Sequence, residues 1–418
     1  MLLWLLLWNP LIALWCAWTV QAVVVVFQAR KFSRRAGWPV REGFDAYHPP
    51  AAVVVPCKGS DPELRRNVRG LLNQHYPEYR LVFVFESDHD PARVLIEDEL
   101  AQHPDPAPAI DLITAGLAPD DTGQKVHNQL AALAFLDAAA DASEAWVFAD
   151  SDAVPGPGWL QKLVGPLVQQ DRVGVTTGYR WLMPELRAQR PRTASMFASV
   201  INSAVAMFIG HGELTQAWGG SMAVRADFAR RHGLTDYLRG ALSDDYQMTR
   251  MCRDAGKRVY FVHRCLVASP VHLTWPELFE FGRRQYLITR IHDPSLYRRA
   301  VAVIGFYVAG ALTAWAALVF AAATGRYAVA VCAAAALLIV AAANQARASY
   351  RRRAVVEAFG REQPRYLRHT LRLDRFGTTA VMLVNLALLL SAARGNVLVW
   401  RGHRYRLDGP RDIQRLPS

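Results

Sequence analysis

Apolar residues crowd toward the two ends of this 418-residue chain, into roughly the first thirty and the last hundred and twenty positions. That unevenness excludes both an ordinary soluble domain and a plain bundle of membrane spans. A hydrophobic content of 52% and a mean hydropathy of +0.06 lie between those classes. The block between the ends has roughly 250 residues, the size of one large soluble domain. The first stretch, 2–27, is broken mainly by Asn9, Pro10 and Gln21 and is long enough to cross a ~30 Å hydrocarbon core as a helix. Its positive charge follows the apolar run, at Arg30, Lys31, Arg34 and Arg35, instead of preceding it as in a signal peptide. The stretch therefore reads as an uncleaved anchor whose C-terminal end faces the cytoplasm.

Two further spans are expected at 301–320 and 327–343, joined by a turn at Gly325 and Arg326. The segment 347–375 is densely basic and reads as a cytoplasmic loop. A last apolar run, 378–390, precedes another basic tail. One full crossing by that run would put the tail outside, which its arginines oppose, and a re-entrant or interfacial helix removes the conflict. A formal charge of +12 raises the question of nucleic acid, but the arginines sit beside the hydrophobic runs, at 30–35, 351–353 and 401–406. That placement favours anionic lipid headgroups and no nucleic-acid partner. The five cysteines form no CxxC pair, so neither a zinc site nor a disulfide framework is expected.

In the middle block, 51–55, 81–85, 111–115 and 145–149 are short continuous apolar runs of the kind found in buried parallel strands. Segments 62–74, 91–102 and 124–140 have helical periodicity, which makes the pattern βαβαβ and the fold class α/β, with a doubly wound mixed sheet. Ligands of such sheets bind beyond the carboxyl ends of the strands. The loops there are polar: Lys58 follows the first run, Asp88 and Asp90 the second, and Asp150 and Asp152 the fourth. Lysine is scarce, with five in the chain, so Lys58 and Lys125 in such loops are candidates for diphosphate binding, with solvated loop lysines as the plain alternative. Paired acids at a strand end suit a hard divalent cation and the diphosphate that it neutralises. Asp244 and Asp245 stand just before a helix, where acids either cap the N-terminus or serve as a base; Asp245 is the candidate base, and capping is left to Ser243 or Asp244. The segment 275–290 looks like an interfacial amphipathic helix, whose Arg283, Arg284 and Arg290 suit lipid headgroups or a leaving diphosphate.

Taken in order, these loops resemble family 2-type glycosyltransferases, with the nearest likeness to the ceramide glucosyltransferases of family 21. The residues that carry the likeness are Pro56 to Glu63, Asp88 to Ala92 with Asp90 in the acidic position, and Gln124 to Leu130. They continue with Asp150-Ser151-Asp152, Trp218 to Arg225, Asp244 to Met248, and the tail Asn396 to Leu407. The resemblance implies a GT-A fold, inversion at the anomeric carbon, a UDP-sugar donor, a Mg2+ or Mn2+ ion and a membrane lipid acceptor. Read with the loop positions, the resemblance gives Lys58 with Asp88 or Asp90 to the nucleotide, Lys125 and Asp150 to ribose and diphosphate, and Asp245 to base catalysis; Asp152, a carboxylate that ceramide enzymes often lack, is the metal ligand expected. Trp218 and Gly219 fall in its acceptor loop. Its (Gln/Arg)XaaXaaArgTrp motif is altered here, with Gln285 and Tyr286 in place of Arg and Trp, so that Arg283, Arg284, Gln285 and Tyr286 form the matching acceptor region. Among the histidines, His211, His263 and His272 read as packed or solvated, with His211 the outside candidate near the acceptor loop and His272 a possible partner of Asp152.

The expected organisation is an anchor at 1–29, a catalytic domain at 48–272, an interfacial helix at 273–298, a hairpin at 299–345, and a basic loop, last segment and tail at 346–418. The expected activity is transfer of a hexose, glucose by the resemblance, to a lipid hydroxyl such as that of ceramide, with the catalytic domain on the cytoplasmic face of a bacterial inner membrane. The rivals are a processive polysaccharide synthase, which needs more spans, and a non-catalytic membrane scaffold, against which the three acidic sites argue. A transporter needs charges within its spans, and 301–343 is almost purely Ala, Val and Leu.

Overall fold

The computed structural model describes residues 10–36, 48–104, 106–139, 142–184, 191–210, 215–360 and 367–417. The chain divides into two compact units, one of residues 38–182, 208–270 and 395–418, the other of 1–37, 183–207 and 271–394.

The sheet of the first unit is built from β1 (Ala51–Pro56), β2 (Tyr79–Phe85), β3 (Ala109–Thr114), β4 (Ala145–Ala149), β5 (Val173–Pro184), β6 (Ser221–Arg225) and β7 (Arg258–Val271). Their order is β3-β2-β1-β4-β6-β5-β7. The four apolar runs of the sequence are β1 to β4, which pair in parallel. They read as continuous because both faces are covered. Ala51, Val53 and Val55 enter one core with Leu71, Ile96 and Leu163, while Ala52 and Val54 enter another with Leu133, Leu136 and Met248. Each fully buried valine contributes about 1.5–3 kcal/mol, which is why these strands are the least negotiable part of the fold. β3 stands at the sheet edge and is half-exposed.

β6 runs antiparallel to β4, with Ser221 opposite Ala149. The start of β6 therefore lies at the carboxyl end of β4, and the loop before it joins the strand-end loops. β5 is antiparallel to β6 in turn, so its far end reaches the same edge. A small antiparallel sheet of β8 (Val397–Trp400), β9 (His403–Gly409) and β10 (Asp412–Leu416) completes the unit. It is fastened by Arg415 to Asp120 at 2.7 Å and by the Gln247 amide to the Pro410 carbonyl at 2.9 Å. The arginines of 401–406 were expected at lipid headgroups, yet Arg401 pairs with Asp61 and Arg406 with Asp408. Acidic partners brought near by folding consume charge that looked free along the chain.

In the second unit, Pro10–Ala36, Pro294–Thr324 and Tyr327–Phe359 are long and apolar enough to cross a membrane. At 1.5 Å per residue, the 27-residue first helix is ~40 Å long, ample for a ~30 Å core. Trp18 packs against Gly310, where an added Cβ would meet the indole at 2.6 Å, and makes an edge-on contact with Tyr307. Such close backbone approach is how helices associate without a hydrophobic driving force. Gly325, at φ 67°, ends the second helix in the expected turn. The third helix runs on through residues expected to form the basic loop, because Arg347 and Arg351 are buried against Asp374 at 2.9 and 2.6 Å. Helices Arg368–Phe376 and Thr378–Ser391 meet at a bend of 89°. The latter, 14 residues or ~21 Å, is shorter than the hydrocarbon core. Helix Trp275–His292 begins with a capping box of Thr274 and Glu277.

Candidate active site

The strand-end loops bring several of the expected residues together. Lys125, at the start of helix Gln124–Ala138, holds its ammonium 2.7 Å from Asp150 and 3.0 Å from Asp244. Asp244 is buried and also accepts from the Gln129 amide at 2.6 Å. Burial alone would lower the Lys125 pKa; the carboxylates of Asp150, Asp244 and Asp245 outweigh it and hold the pKa above the usual lysine range. Lys125 thus joins two acidic motifs 94 positions apart in sequence, Asp150 and Asp244 (244 − 150).

Asp245 lies in the opposite electrostatic situation. Burial, and then repulsion from Asp244, push its carboxyl pKa up to about 6 against the lowering effects of Ser243 and Lys125. The Ser243 hydroxyl donates to one of its oxygens, as does the Tyr246 N–H at 2.8 Å. Ser243 stands at the N-cap position of helix Asp244–Asp254, but its side chain makes no cap bond. Neither residue considered for capping is used for it: Ser243 serves Asp245, and Asp244 serves Lys125 and Gln129. A carboxyl poised near neutrality is suited to taking a proton.

At the other acid of the motif, Asp152, one oxygen accepts from Arg180 at 2.8 Å and the other is buried with no hydrogen-bond partner. Burial raises the Asp152 pKa, and Arg180 more than offsets this, leaving it below the ordinary carboxylate value. An ionised oxygen buried without a donor is costly unless a cation takes it. No group of three or more His, Cys, Asp or Glu side chains suited to a metal occurs among the described residues. An ion at Asp152 would therefore draw the rest of its shell from water and from substrate oxygens, as Mg2+ commonly does with phosphates. On that donor set, Asp152 fits the metal role.

The glycines of the loop before β6 are required by close approach. A Cβ on Gly219 would lie 2.6 Å from an Asp244 oxygen and 2.7 Å from the Lys125 ammonium; on Gly220 it would meet the Trp218 ring at 2.2 Å and Asp150 at 2.6 Å. Trp218 itself lies under the Arg180 guanidinium at 5.4 Å, a cation–π contact, and makes an edge contact with Tyr179.

The remaining expected residues have other surroundings. Asp90 caps helix Pro91–Ala101 through the Ala92 N–H at 2.9 Å and also accepts from the Gly59 N–H at 2.8 Å, tying the first two loops together. Asp88 is exposed and paired with Arg93. Lys58 lies 2.5 Å from both Glu86 and His403, and it holds the Glu86 pKa low against burial. Arg283, Arg284, Gln285 and Tyr286 belong to the other unit. Arg283 donates to the Ser391 and Arg394 carbonyls at the end of a helix, and Tyr286 bonds Asn385. Arg284 lies over the Phe281 ring, and the Gln285 carbonyl accepts from Thr289. His263 packs on Phe261 and His272 is exposed in the other unit, near Glu277; His211 lies outside the described residues.

Arg180 escaped the sequence reading, and Gln129, Asp61, Arg401, His403 and Glu86, though inside loops or motifs read from the sequence, were given no role there. Arg180 stands mid-strand with no motif around it. Arg401 and His403 lie in a tail whose basic character pointed to lipid, although the tryptophan-arginine-tyrosine likeness of 396–407 was the available signal.

Residues 13–413 match the sequence model of the family described as Glycosyl transferase family 21. No curated protein matches the sequence. Among solved structures, the chain is similar to a mannosyltransferase from Pyrobaculum calidifontis, in complex with GDP-Man and Mn2+. That likeness has 17% identity, 92% of this chain and 97% of that one covered, and a TM-score of 0.48. It is also similar to glucosyl-3-phosphoglycerate synthase from Mycobacterium tuberculosis, in complex with phosphoglyceric acid, at 16% identity, 61% and 84% coverage and a TM-score of 0.39.

Proposed function

The chain belongs to glycosyl transferase family 21, and from that membership we propose that it transfers a hexose from UDP-sugar to the hydroxyl of a membrane lipid such as ceramide. The observation that carries this reading is the Lys125 bridge between Asp150 and Asp244 beside a half-buried Asp245 with a pKa near 6. Sugar transfer needs a base for the acceptor proton held beside the diphosphate site, and in this cluster Asp245 supplies the base while Lys125 holds the two acidic motifs together at the strand ends.

In the proposed step, the acceptor hydroxyl oxygen attacks the anomeric carbon while Asp245 takes its proton. The carbon–oxygen bond to the diphosphate breaks, and its electron pair stays on the leaving diphosphate oxygen. Attack from the side opposite the leaving group inverts the anomeric centre. Lys125 and Arg180 provide fixed positive charge at the cleft without rearrangement during reaction. Mg2+ or Mn2+ held by Asp152 would neutralise charge on the leaving diphosphate. Asp90 and Lys58 frame the nucleotide end of the cleft through the first two loops. The three long apolar helices keep the enzyme at a membrane, where an amphiphilic acceptor is already concentrated, which lowers the entropic cost of bringing two substrates together. We assign the catalytic unit to the cytoplasmic face of a bacterial inner membrane, from the charge that follows the first helix.

The test is incubation of membranes carrying the protein with radiolabelled UDP-glucose, UDP-galactose and UDP-N-acetylglucosamine, followed by lipid extraction and chromatography. Label in a chloroform-soluble product, absent with Asp245→Asn, supports the reading. Label only in water-soluble polymer, or none from any donor, overturns it.

A further inference from the structure

Strands β8 and β9 pair Trp400 with His403, leaving Arg401 and Gly402 as a two-residue hairpin turn. Both turn residues have positive φ, 49° and 83°. This is the type I′ geometry that favours Asn-Gly or Gly-Gly. Among the described residues, Arg401 is the one non-glycine residue with positive φ. An arginine in that conformation costs stability, and such costs persist where the surroundings or a function hold them in place.

The side chain on this strained turn reaches the cleft. Arg401 pairs with Asp61 at 2.8 Å, and although burial lowers its pKa, the field of Asp61, Asp152 and Asp150 raises it further. The same hairpin carries His403, whose Nε2 lies 2.5 Å from the Lys58 ammonium and 3.4 Å from Glu86. The C-terminal strands therefore deliver two nitrogen-bearing side chains to the loops after β1 and β2.

Of the cations at the cleft, Lys125, Arg180 and Arg401 differ in how freely they can change partners. Lys125 bridges two carboxylates and Arg180 pins Asp152, each with 16% of its side chain exposed. Arg401 holds a single carboxylate and keeps 45% of its side chain exposed. The Asp61 carboxylate is only 11% exposed and loses its cation on release, a cost that the two parallel charge-assisted bonds of a guanidinium on a phosphate offset. Exchange of a carboxylate for a diphosphate therefore costs less at Arg401, with one partner and a half-exposed side chain, than at Lys125 or Arg180.

We propose that the C-terminal hairpin is a built-in donor clamp, in which Arg401 leaves Asp61 and binds the diphosphate of the sugar donor. This rests on the glycosyltransferase reading above. The competing account is that the Arg401–Asp61 pair simply fastens the hairpin to the domain.

The two accounts separate in the full-length protein in nanodiscs, with UDP and GDP binding measured in the presence of Mn2+. Arg401→Asn removes the charge but creates the Asn-Gly turn that type I′ geometry favours, so the hairpin is not weakened at its backbone. The clamp predicts that Arg401→Asn weakens nucleoside diphosphate binding by roughly 10- to 100-fold, the range of a charge-assisted contact, while Arg401→Lys recovers part of it. It further predicts that Asp61→Asn, which frees Arg401 from its resting partner, binds as tightly as wild type or tighter. Equal weakening by Arg401→Asn and Asp61→Asn overturns the clamp in favour of a structural pair, as does unchanged binding by Arg401→Asn. Wild type that binds neither UDP nor GDP overturns the function reading itself, and the clamp with it.

Discussion

Replacing Asp245 by Asn should move activity and stability in opposite directions. The two oxygens of the carboxylate differ in use: one accepts from Ser243 and the Tyr246 N–H, and an asparagine oxygen can keep both bonds. What is lost is the negative charge beside Asp244, and with it the proton acceptor. General base catalysis typically contributes 10^2–10^4-fold, so turnover should fall by about that factor. The stability effect follows from a folded pKa of about 6 against an ordinary value of 3.8. Between those values the folded protein binds more protons than the unfolded chain, so stability falls as pH rises through this window, and the penalty is complete above about pH 6. About two pK units correspond to ~3 kcal/mol as a ceiling, and partial exposure reduces this to roughly 1–2 kcal/mol. At pH 7.5 Asp245→Asn should therefore unfold about 3–6 °C higher than wild type, a difference that closes as pH approaches 4. Tryptophan-fluorescence melting in nanodiscs at several pH values measures this, alongside transfer assays on the same samples. In wild type, kcat/KM should decline about tenfold per pH unit below 6. A variant that melts lower than wild type at pH 7.5, or retains more than a tenth of the turnover, refutes the reasoning.

Three other perturbations probe different contacts. Lys125→Met leaves Asp150 and Asp244 without their shared cation, and should cost about 3–5 kcal/mol in unfolding experiments and abolish UDP binding by calorimetry. Asp152→Asn should remove stimulation by Mn2+ in a metal titration after chelation, because its unpartnered buried oxygen is then no longer anionic. In the helical unit, Asp374→Ala strands Arg347 and Arg351, and should cost about 3–5 kcal/mol, read as a lower melting temperature in detergent with donor binding by the other unit retained.

Much of the parallel half of the sheet was legible because its signals are local. Val53, Val54 and Val55 must all be buried, so the run announces a strand covered on both faces, and polar residues at its end announce a ligand edge. The same local logic located Lys58, Asp90, Lys125, Asp150 and Asp152 at strand ends or helix starts. β5, β6 and β7 were missed because they mix polar and apolar positions, as with Thr176, Thr177 and Arg180 in β5 and Ser221 and Arg225 in β6. Charge was the least legible property. Arg351 looked like a headgroup ligand and is buried on Asp374, and Asp90 looked like a ligand and also caps a helix.

The sequence alone determined that this chain has, along its length, membrane-length apolar helices before and after an α/β domain with acids at its strand ends, since burial and periodicity act over a few residues. Only the tertiary structure decided which charges meet. Lys125 and Asp244 are 119 positions apart, and Arg401 and Asp61 are 340 apart. Such pairs depend on strand order, on β6 inserted antiparallel beside β4, and on a C-terminal hairpin folded back onto the first loops. Ion pairing is set by distance through space, and no pattern along the chain encodes that distance until the sheet has assembled.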